Sequence, residues 1–245
     1  MKTALVTGAS RGIGRAVAVE LATRGYEHIM LHYHQQRAAA ETVSEEIQEL
    51  GVKATLLQAN LGDPDAIDTL TETVLGATTE LQALVHAAAI NTFKPLYKVR
   101  PSQWDLCMNV STRSFVQLVE LLMPALKLGS SVVALSSMGS ERALEHYGPM
   151  GPAKAALEAA VRQLAFELGP QGIRVNTISA GLVRTTSLDH FPQRDAMIAY
   201  AERVTPLRRI AEPHDIALAV HFLLSDDARW ITGQSIVADG GYSIA

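Results

Sequence analysis

Thr7-Gly8-Ala9-Ser10-Arg11-Gly12-Ile13-Gly14 decides how this chain is read. It follows the apolar run Ala4-Leu5-Val6 and opens a stretch, Gly12 to Arg24, with helical apolar spacing and a stop at Gly25. A glycine trio between a buried strand and a helix reads as a phosphate cradle. Gly8 allows the tight turn, Gly12 removes the Cβ that would block a pyrophosphate, and Gly14 lets the helix pack closely on the sheet. The N–H groups and partial positive charge of the helix start would face the phosphates, with Ser10, Arg11 and Ile13 in the turn. A plain turn is the alternative; the strand–turn–helix context favours the cradle.

Outward from this turn, short apolar runs alternate with amphipathic stretches. Strands are expected at 29–33, 52–58, 84–88, 132–136, 175–179 and 235–237. Helices are expected at 38–50, 64–75, 101–126 (kinked at Pro124), 152–168 and 213–224. Strands separated by helices pair in parallel through right-handed crossovers. The expected fold is therefore α/β: a Rossmann-like, doubly wound parallel sheet of about seven strands with helices on both faces. The whole chain, 1–245, reads as one dinucleotide-binding catalytic domain. Only Thr185 to Arg209 breaks the rhythm, at a strand end where a substrate lid would be inserted.

Composition narrows the function. Of 245 residues, 48% are hydrophobic and 19% charged, which excludes a disordered chain. A net charge of −4, from 21 basic and 25 acidic residues, argues against nucleic-acid or membrane-surface partners. The one cysteine, Cys107, permits no internal disulfide and no thiolate metal cage, and the expected compartment is a reducing cytoplasm. Met1 leads almost at once into the first strand, leaving no room for a signal peptide, and runs such as Ala83 to Ile90 are too short to span a membrane.

The second strand end selects the cofactor. An NAD site places an Asp or Glu there for the ribose 2′-hydroxyl. This chain has His32-Tyr33-His34-Gln35-Gln36-Arg37, with no carboxylate. Arg11 and Arg37, with His34, can instead meet a 2′-phosphate, so NADPH is expected. The alternative makes Arg37 a solvated helix-start residue. His28, His32 and His34 lack Cys or carboxylate partners and read as plain polar residues, so no metal is expected.

The Gly-x-x-x-Gly-x-Gly spacing resembles that of the short-chain dehydrogenase/reductase family, and the resemblance runs from Lys2 to Asp239-Gly240-Gly241. It implies a catalytic Tyr four residues before a Lys. Here Met150 stands four residues before Lys154, and the nearest tyrosine, Tyr147, stands seven before it. Seven and four residues are both near whole helical turns, so on a helical path Tyr147 still faces Lys154, displaced by about 4.5 Å. A displaced phenol suits conjugate reduction. Hydride added at the β-carbon of an enoyl thioester puts the charge on an oxygen two carbons away. Pro149 and Pro152 weigh against a regular helix before residue 152.

Further residues carry a resemblance to enoyl-[acyl-carrier-protein] reductases, within them the FabL type, which uses NADPH. They are Leu135-Ser136-Ser137, Gly139-Ser140-Glu141-Arg142-Ala143-Leu144, Tyr147, Met150-Gly151, Ala153-Lys154-Ala155 and Leu157-Glu158. Arg174-Val175-Asn176, Ile178-Ser179-Ala180-Gly181, Arg184-Thr185 and Leu188-Asp189-His190-Phe191-Pro192 continue it. The resemblance implies that Tyr147 stabilises the enolate and that Lys154 holds the nicotinamide ribose. Val183 and Thr185, after Gly181, would hold the carboxamide, Asn60 and Leu61 would flank the adenine, and Ala87 and Ala88 would let the cofactor pass. Ser137 matches the catalytic Ser of ketoreductases. Asn109 matches a helix Asn that supports a Lys-linked water chain, or simply fills a helix kink. One departure stands out: the family's Asn-Asn-Ala-Gly is His86-Ala87-Ala88-Ala89 here.

Three readings stay open: an NADPH-dependent enoyl-thioester reductase of fatty-acid synthesis, a 3-oxoacyl or other carbonyl reductase, and a non-catalytic NADP-binding protein. The partner expected under the first is an enoyl thioester on acyl carrier protein or CoA. Leu188, Phe191, Met197, Ile198 and Leu207 give the lid an apolar side, as an ordinary amphipathic helix also would. Arg203, Arg208 and Arg209 fit an acidic carrier or plain solvation. Family members are commonly tetramers that pair their long helices, and Ala155, Ala159 and Leu164 are compatible with that.

Overall fold

The computed structural model describes residues 1–90, 92–190 and 193–245; Asn91, Phe191 and Pro192, including the lid's expected Phe191, lie outside the described residues. Seven strands form: β1 (Thr3–Thr7), β2 (His28–Tyr33), β3 (Lys53–Gln58), β4 (Ala83–His86), β5 (Ser131–Ser137), β6 (Arg174–Ala180) and β7 (Ser235–Ala238). They make one sheet in the order β3-β2-β1-β4-β5-β6-β7, every pairing parallel. Between them run α1 (Gly12–Thr23), α2 (Arg37–Glu49), α3 (Pro64–Ala77), α4 (Pro101–Met108), α5 (Ser114–Leu122), α6 (Met150–Leu168), α7 (Arg194–Val204) and α8 (Pro213–Leu224). This is the Rossmann-like, doubly wound architecture expected from the sequence.

The inner strands lack polar alternation because both their faces are covered. Leu5, Met30, Leu84 and Val132 pack with Ile67 of α3, Phe115 of α5 and Leu157 of α6. Val6, Ile29, Val85 and Val133 pack on the other face with Val17 and Leu21 of α1 and Ile216 and Val220 of α8. The strand order reverses between β1 and β4, so their carboxyl ends, at Thr7 and His86, open the crevice where such sheets bind ligands.

Two helices depart from expectation. The single helix foreseen over 101–126 is three pieces. At Asn109 the ladder widens: the Ser114 N–H reaches back five residues to the Asn109 carbonyl, making 109–113 a π-helical turn. The Thr112 hydroxyl ties this turn to the Ala153 carbonyl of α6 at 2.8 Å. Pro124 kinks nothing, because α5 has already stopped at Leu122, where the Met123 N–H closes onto the Glu120 carbonyl at 3.2 Å. In turn, α6 starts at Met150, two residues early, and Pro152 falls in its first turn, where a missing N–H costs no ladder bond.

The lid segment also acquires structure: a 3₁₀ turn at Thr186–His190, then α7. Leu188, Ile198, Ala201 and Ile210 make a small core of their own, with Met197 and Tyr242 against it. Leu207, expected on the lid's apolar side, is exposed instead. Among the described residues no helix is long and apolar enough to cross a membrane.

Candidate active site

The glycine turn is tight for steric reasons visible atom by atom. Gly8 has φ +65°, and a Cβ on it would stand 2.9 Å from Ala88 Cα. Gly12, at φ +56°, faces Thr185 Cγ2 at 3.4 Å, so two expected cofactor residues far apart in sequence meet here. At Gly14 a Cβ would meet the Gly8 carbonyl carbon at 2.8 Å, so this glycine lets the start of α1 close against its own turn while Val17 and Leu21 pack on the sheet. Arg11, the N-cap of α1, makes no side-chain cap, and the first turn carries no acid. Free N–H groups without a competing carboxylate fit an anionic pyrophosphate.

Two buried imidazoles brace this turn. His32 Nδ1 accepts the Gly8 N–H at 3.1 Å while Nε2 meets the Ala59 carbonyl at 3.1 Å. Thr7 Oγ1 accepts the N–H groups of Ala87 and Ala88, both at 3.1 Å, leaving its own proton for His86 Nδ1 at 3.1 Å. His86 Nε2 then carries the ring proton and faces the backbone of Val110 and Ser111 without a well-aligned bond. Burial drives both rings neutral, His32 to about 4 and His86 to about 3, with the Lys154 charge adding to the depression at His86. His86 thus ties β4 to β1 through the Thr7 hydroxyl. Among the described residues no three His, Cys, Asp or Glu side chains converge as a metal cage, and His28 meets Thr55 Oγ1 at 2.8 Å.

The other expected cofactor residues are placed differently. Arg11 and His34 are exposed. Arg37, first in α2, is exposed and pairs with Glu41 at 2.8 Å. Asn60, beyond β3, is exposed and accepts the Gly62 N–H at 3.0 Å, but Leu61 turns its side chain into the core. Gly181 leaves no room for a side chain, since a Cβ would stand 2.8 Å from Asp239 Cβ. Val183 is buried and bridges to Ala211.

A cavity of about 570 Å³ opens beside them, lined by Ile13, Ser137, Tyr147, Gly181, Val183 and Thr185. Its outer wall is largely apolar, with Phe93, Leu144, Met150, Leu188 and Met197. Tyr147 therefore lines the same cavity as Gly181 and as Val183 and Thr185, the residues expected to hold the carboxamide. It sits one turn ahead of α6, its carbonyl accepting the Gly151 N–H at 3.0 Å, and its neighbour His146 takes the left-handed φ +59°. The prolines do not prevent this turn, because Pro149 is the N-cap. Gly139 makes space for the ring: a Cβ there would lie 2.5 Å from Tyr147 Cδ1. Burial raises the Tyr147 phenol, and a hydrogen bond with the Ser137 hydroxyl works against that rise.

Lys154 follows on α6 but is not among the residues lining the cavity. It is 6% exposed, and its Nζ donates to the Leu135 carbonyl at 2.6 Å. Burial lowers it to about 8, against the opposing pull of Glu158. Asn109 lies at the start of the π-helical turn, where its carbonyl accepts the Ser114 N–H, in keeping with the helix-kink reading of this residue. Sequence reasoning missed Glu158, whose signal was an acid four residues after Lys154 on the same helix face, and Tyr242 in the cavity wall, just past the terminal Gly240-Gly241 pair.

Known proteins share this architecture. A family model described as enoyl-(acyl carrier protein) reductase matches residues 8–243. The 1-cyclohexenylcarbonyl-CoA reductase of Streptomyces collinus is 35% identical over 99% of this chain and 87% of its own. The NADH-dependent enoyl-[acyl-carrier-protein] reductase FabI of Nostoc sp. is 34% identical, covering 99% and 95%. The 3-oxoacyl-[acyl-carrier-protein] reductase FabG of Staphylococcus aureus is 31% identical, covering 98% and 97%. Among solved structures, a short-chain dehydrogenase from Burkholderia cenocepacia in complex with NADP superposes with TM-score 0.91 at 30% identity, covering 99% and 98%. The angucycline C-6 ketoreductase LanV with bound NADP gives TM-score 0.89 at 33% identity, covering 100% and 96%. The chain is an oxidoreductase and belongs to the short-chain dehydrogenase/reductase family.

Proposed function

We propose that this enzyme reduces the α,β double bond of an enoyl thioester with NADPH. The observation that carries the reading is the position of Tyr147: this cavity-lining phenol lies in the turn before α6, seven residues from Lys154, while Met150 occupies the place four residues away. Gly8, Gly12 and Gly14 with the α1 N-terminus would hold the pyrophosphate, Arg11, His34 and Arg37 the 2′-phosphate, and Asn60 the adenine side. Gly181, Val183 and Thr185 would receive the nicotinamide. NADPH bound there supplies the hydride. Tyr147 would hydrogen-bond the thioester oxygen, stabilise the enolate as charge moves onto it, and then support delivery of a solvent proton to the α-carbon, which completes the saturated acyl product. Lys154, released from the Leu135 carbonyl, holds ribose hydroxyls and lends positive charge. Leu188 and Met197 of the 185–209 lid close over the acyl group on an apolar wall.

Carbonyl reduction is the second reading, and the contact between Ser137 and Tyr147 favours it, because that pair suits an oxygen on the carbon receiving hydride. Tyr147→Phe separates binding from chemistry: enoyl turnover should fall by about 10²–10⁴ while NADPH binding persists. Full activity in that variant would remove Tyr147 from the mechanism. The thioester carrier would be acyl carrier protein or CoA, as in fatty-acid synthesis, in the cytoplasm. Exposed Phe166 on α6 and the half-exposed Trp104 and Val116 on α4 and α5 support a tetramer through these helices.

A further inference from the structure

Glu158 is a buried acid that the reduction proposed above leaves without a task. It is 6% exposed and follows Lys154 by four residues on α6, so the two share a helix face. One of its oxygens, Oε1, accepts from the hydroxyls of both Ser136 and Ser140, the second at 2.7 Å. The Ser140 hydroxyl also lies 2.8 Å from the Ser137 carbonyl, but its single proton serves the charged oxygen better. These serines bracket Ser137, which meets Tyr147, and Gly139, against which the Tyr147 ring packs. The Lys154 ammonium is fixed next door, on the Leu135 carbonyl.

We infer that Glu158 is a positioning residue with two effects: its carboxylate, one turn along α6, is the counter-charge of the buried Lys154 ammonium, and its Oε1 clamps the turn that presents Ser137 to Tyr147. Among the described residues, Glu158 is the source of that charge. His86 approaches Lys154 from β4 as a neutral ring. The β5 strand beneath carries no ionisable side chain, and Arg113 of the π-helical turn is committed to the carbonyls of Leu61 and Gly62. Tyr147 is held un-ionised by burial, as is Cys107 of α4. Burial alone lowers Lys154, and Glu158 is the group that opposes it.

The inference rests on the reductase reading for its kinetic consequence alone. Glu158→Gln keeps an Oε1 acceptor for both hydroxyls and removes the charge. The test is a ¹³C NMR titration of the Lys154 side chain in the whole enzyme, its signal assigned with Lys154→Arg. The midpoint in Glu158→Gln should fall about one pH unit below that of the parent enzyme, with the thermal midpoint held, and Glu158→Asp should bring it back. The alkaline limb of kcat/KM should move by the same amount. Coincident midpoints would overturn the charge effect. Glu158→Ala, which strands the Ser136 hydroxyl and leaves Ser140 only the Ser137 carbonyl, should lose kcat beyond Glu158→Gln; equal kcat in the two would overturn the clamp. Because the titration needs no substrate, failure to reduce an enoyl thioester would count against the reductase reading and leave this comparison standing.

Discussion

Gly139→Ala should disable Tyr147 without removing any group that binds or reacts. The added Cβ would stand 2.5 Å from Tyr147 Cδ1, closer still to Cε1, and 3.2 Å from Leu144 Cδ1, whereas ordinary contact begins at 3.4 Å. The ring must therefore retreat by about 1 Å, and a misplacement of that size costs on the order of 10²-fold in rate, about 2.7 kcal/mol. It cannot retreat freely, since Phe93, Cys107 and Met150 pack around it. The phosphate turn is remote from the change, so NADPH affinity should hold. The assay is kcat/KM for NADPH-linked thioester reduction, with NADPH binding and thermal melting as controls. A variant that binds NADPH and turns over at the parent rate would refute the claim that Tyr147 must sit where Gly139 lets it sit.

The buried histidines make stability pH-dependent. His32 and His86 titrate near 4 and 3 when folded and near 6.5 when unfolded, so the unfolded chain binds more protons between those values. Their contribution is complete above pH 6.5 and is lost as pH falls towards 4. In denaturant titrations His86→Asn should flatten the slope by about 1.4 kcal/mol per pH unit, one proton's worth; an unchanged slope would take His86 out of the account. Arg37→Ala should weaken NADPH binding by about tenfold and leave NADH binding alone, read by nucleotide fluorescence; equal losses for both would show that Arg37 does not meet the 2′-phosphate.

The parts legible in the sequence are those set by neighbours along the chain. Gly8, Gly12 and Gly14 announce their turn because positive φ and close backbone approach are local demands, and the apolar runs announce strands covered on both faces. The π-helical turn at Asn109 was not legible as such, because it depends on Thr112 reaching Ala153 across 41 residues. The same holds for His32 beneath Gly8 and His86 beneath Thr7, which the parallel sheet brings together over 24 and 79 residues. Spacing anticipates the bond from the Gly151 N–H to the Tyr147 carbonyl, which spans four residues, but not the bridge from Tyr147 to Lys94, which lies 53 residues away. Nor does it anticipate the aim of the Lys154 ammonium, because the Leu135 carbonyl that receives it belongs to another element.

The most direct test of the account offers the purified enzyme NADPH with a crotonyl thioester and, separately, with an acetoacetyl thioester, and follows cofactor oxidation. Oxidation with the crotonyl compound, yielding the saturated acyl product and vanishing in Tyr147→Phe, is the result the account predicts. Oxidation with the acetoacetyl compound alone, yielding the 3-hydroxy product, would contradict it.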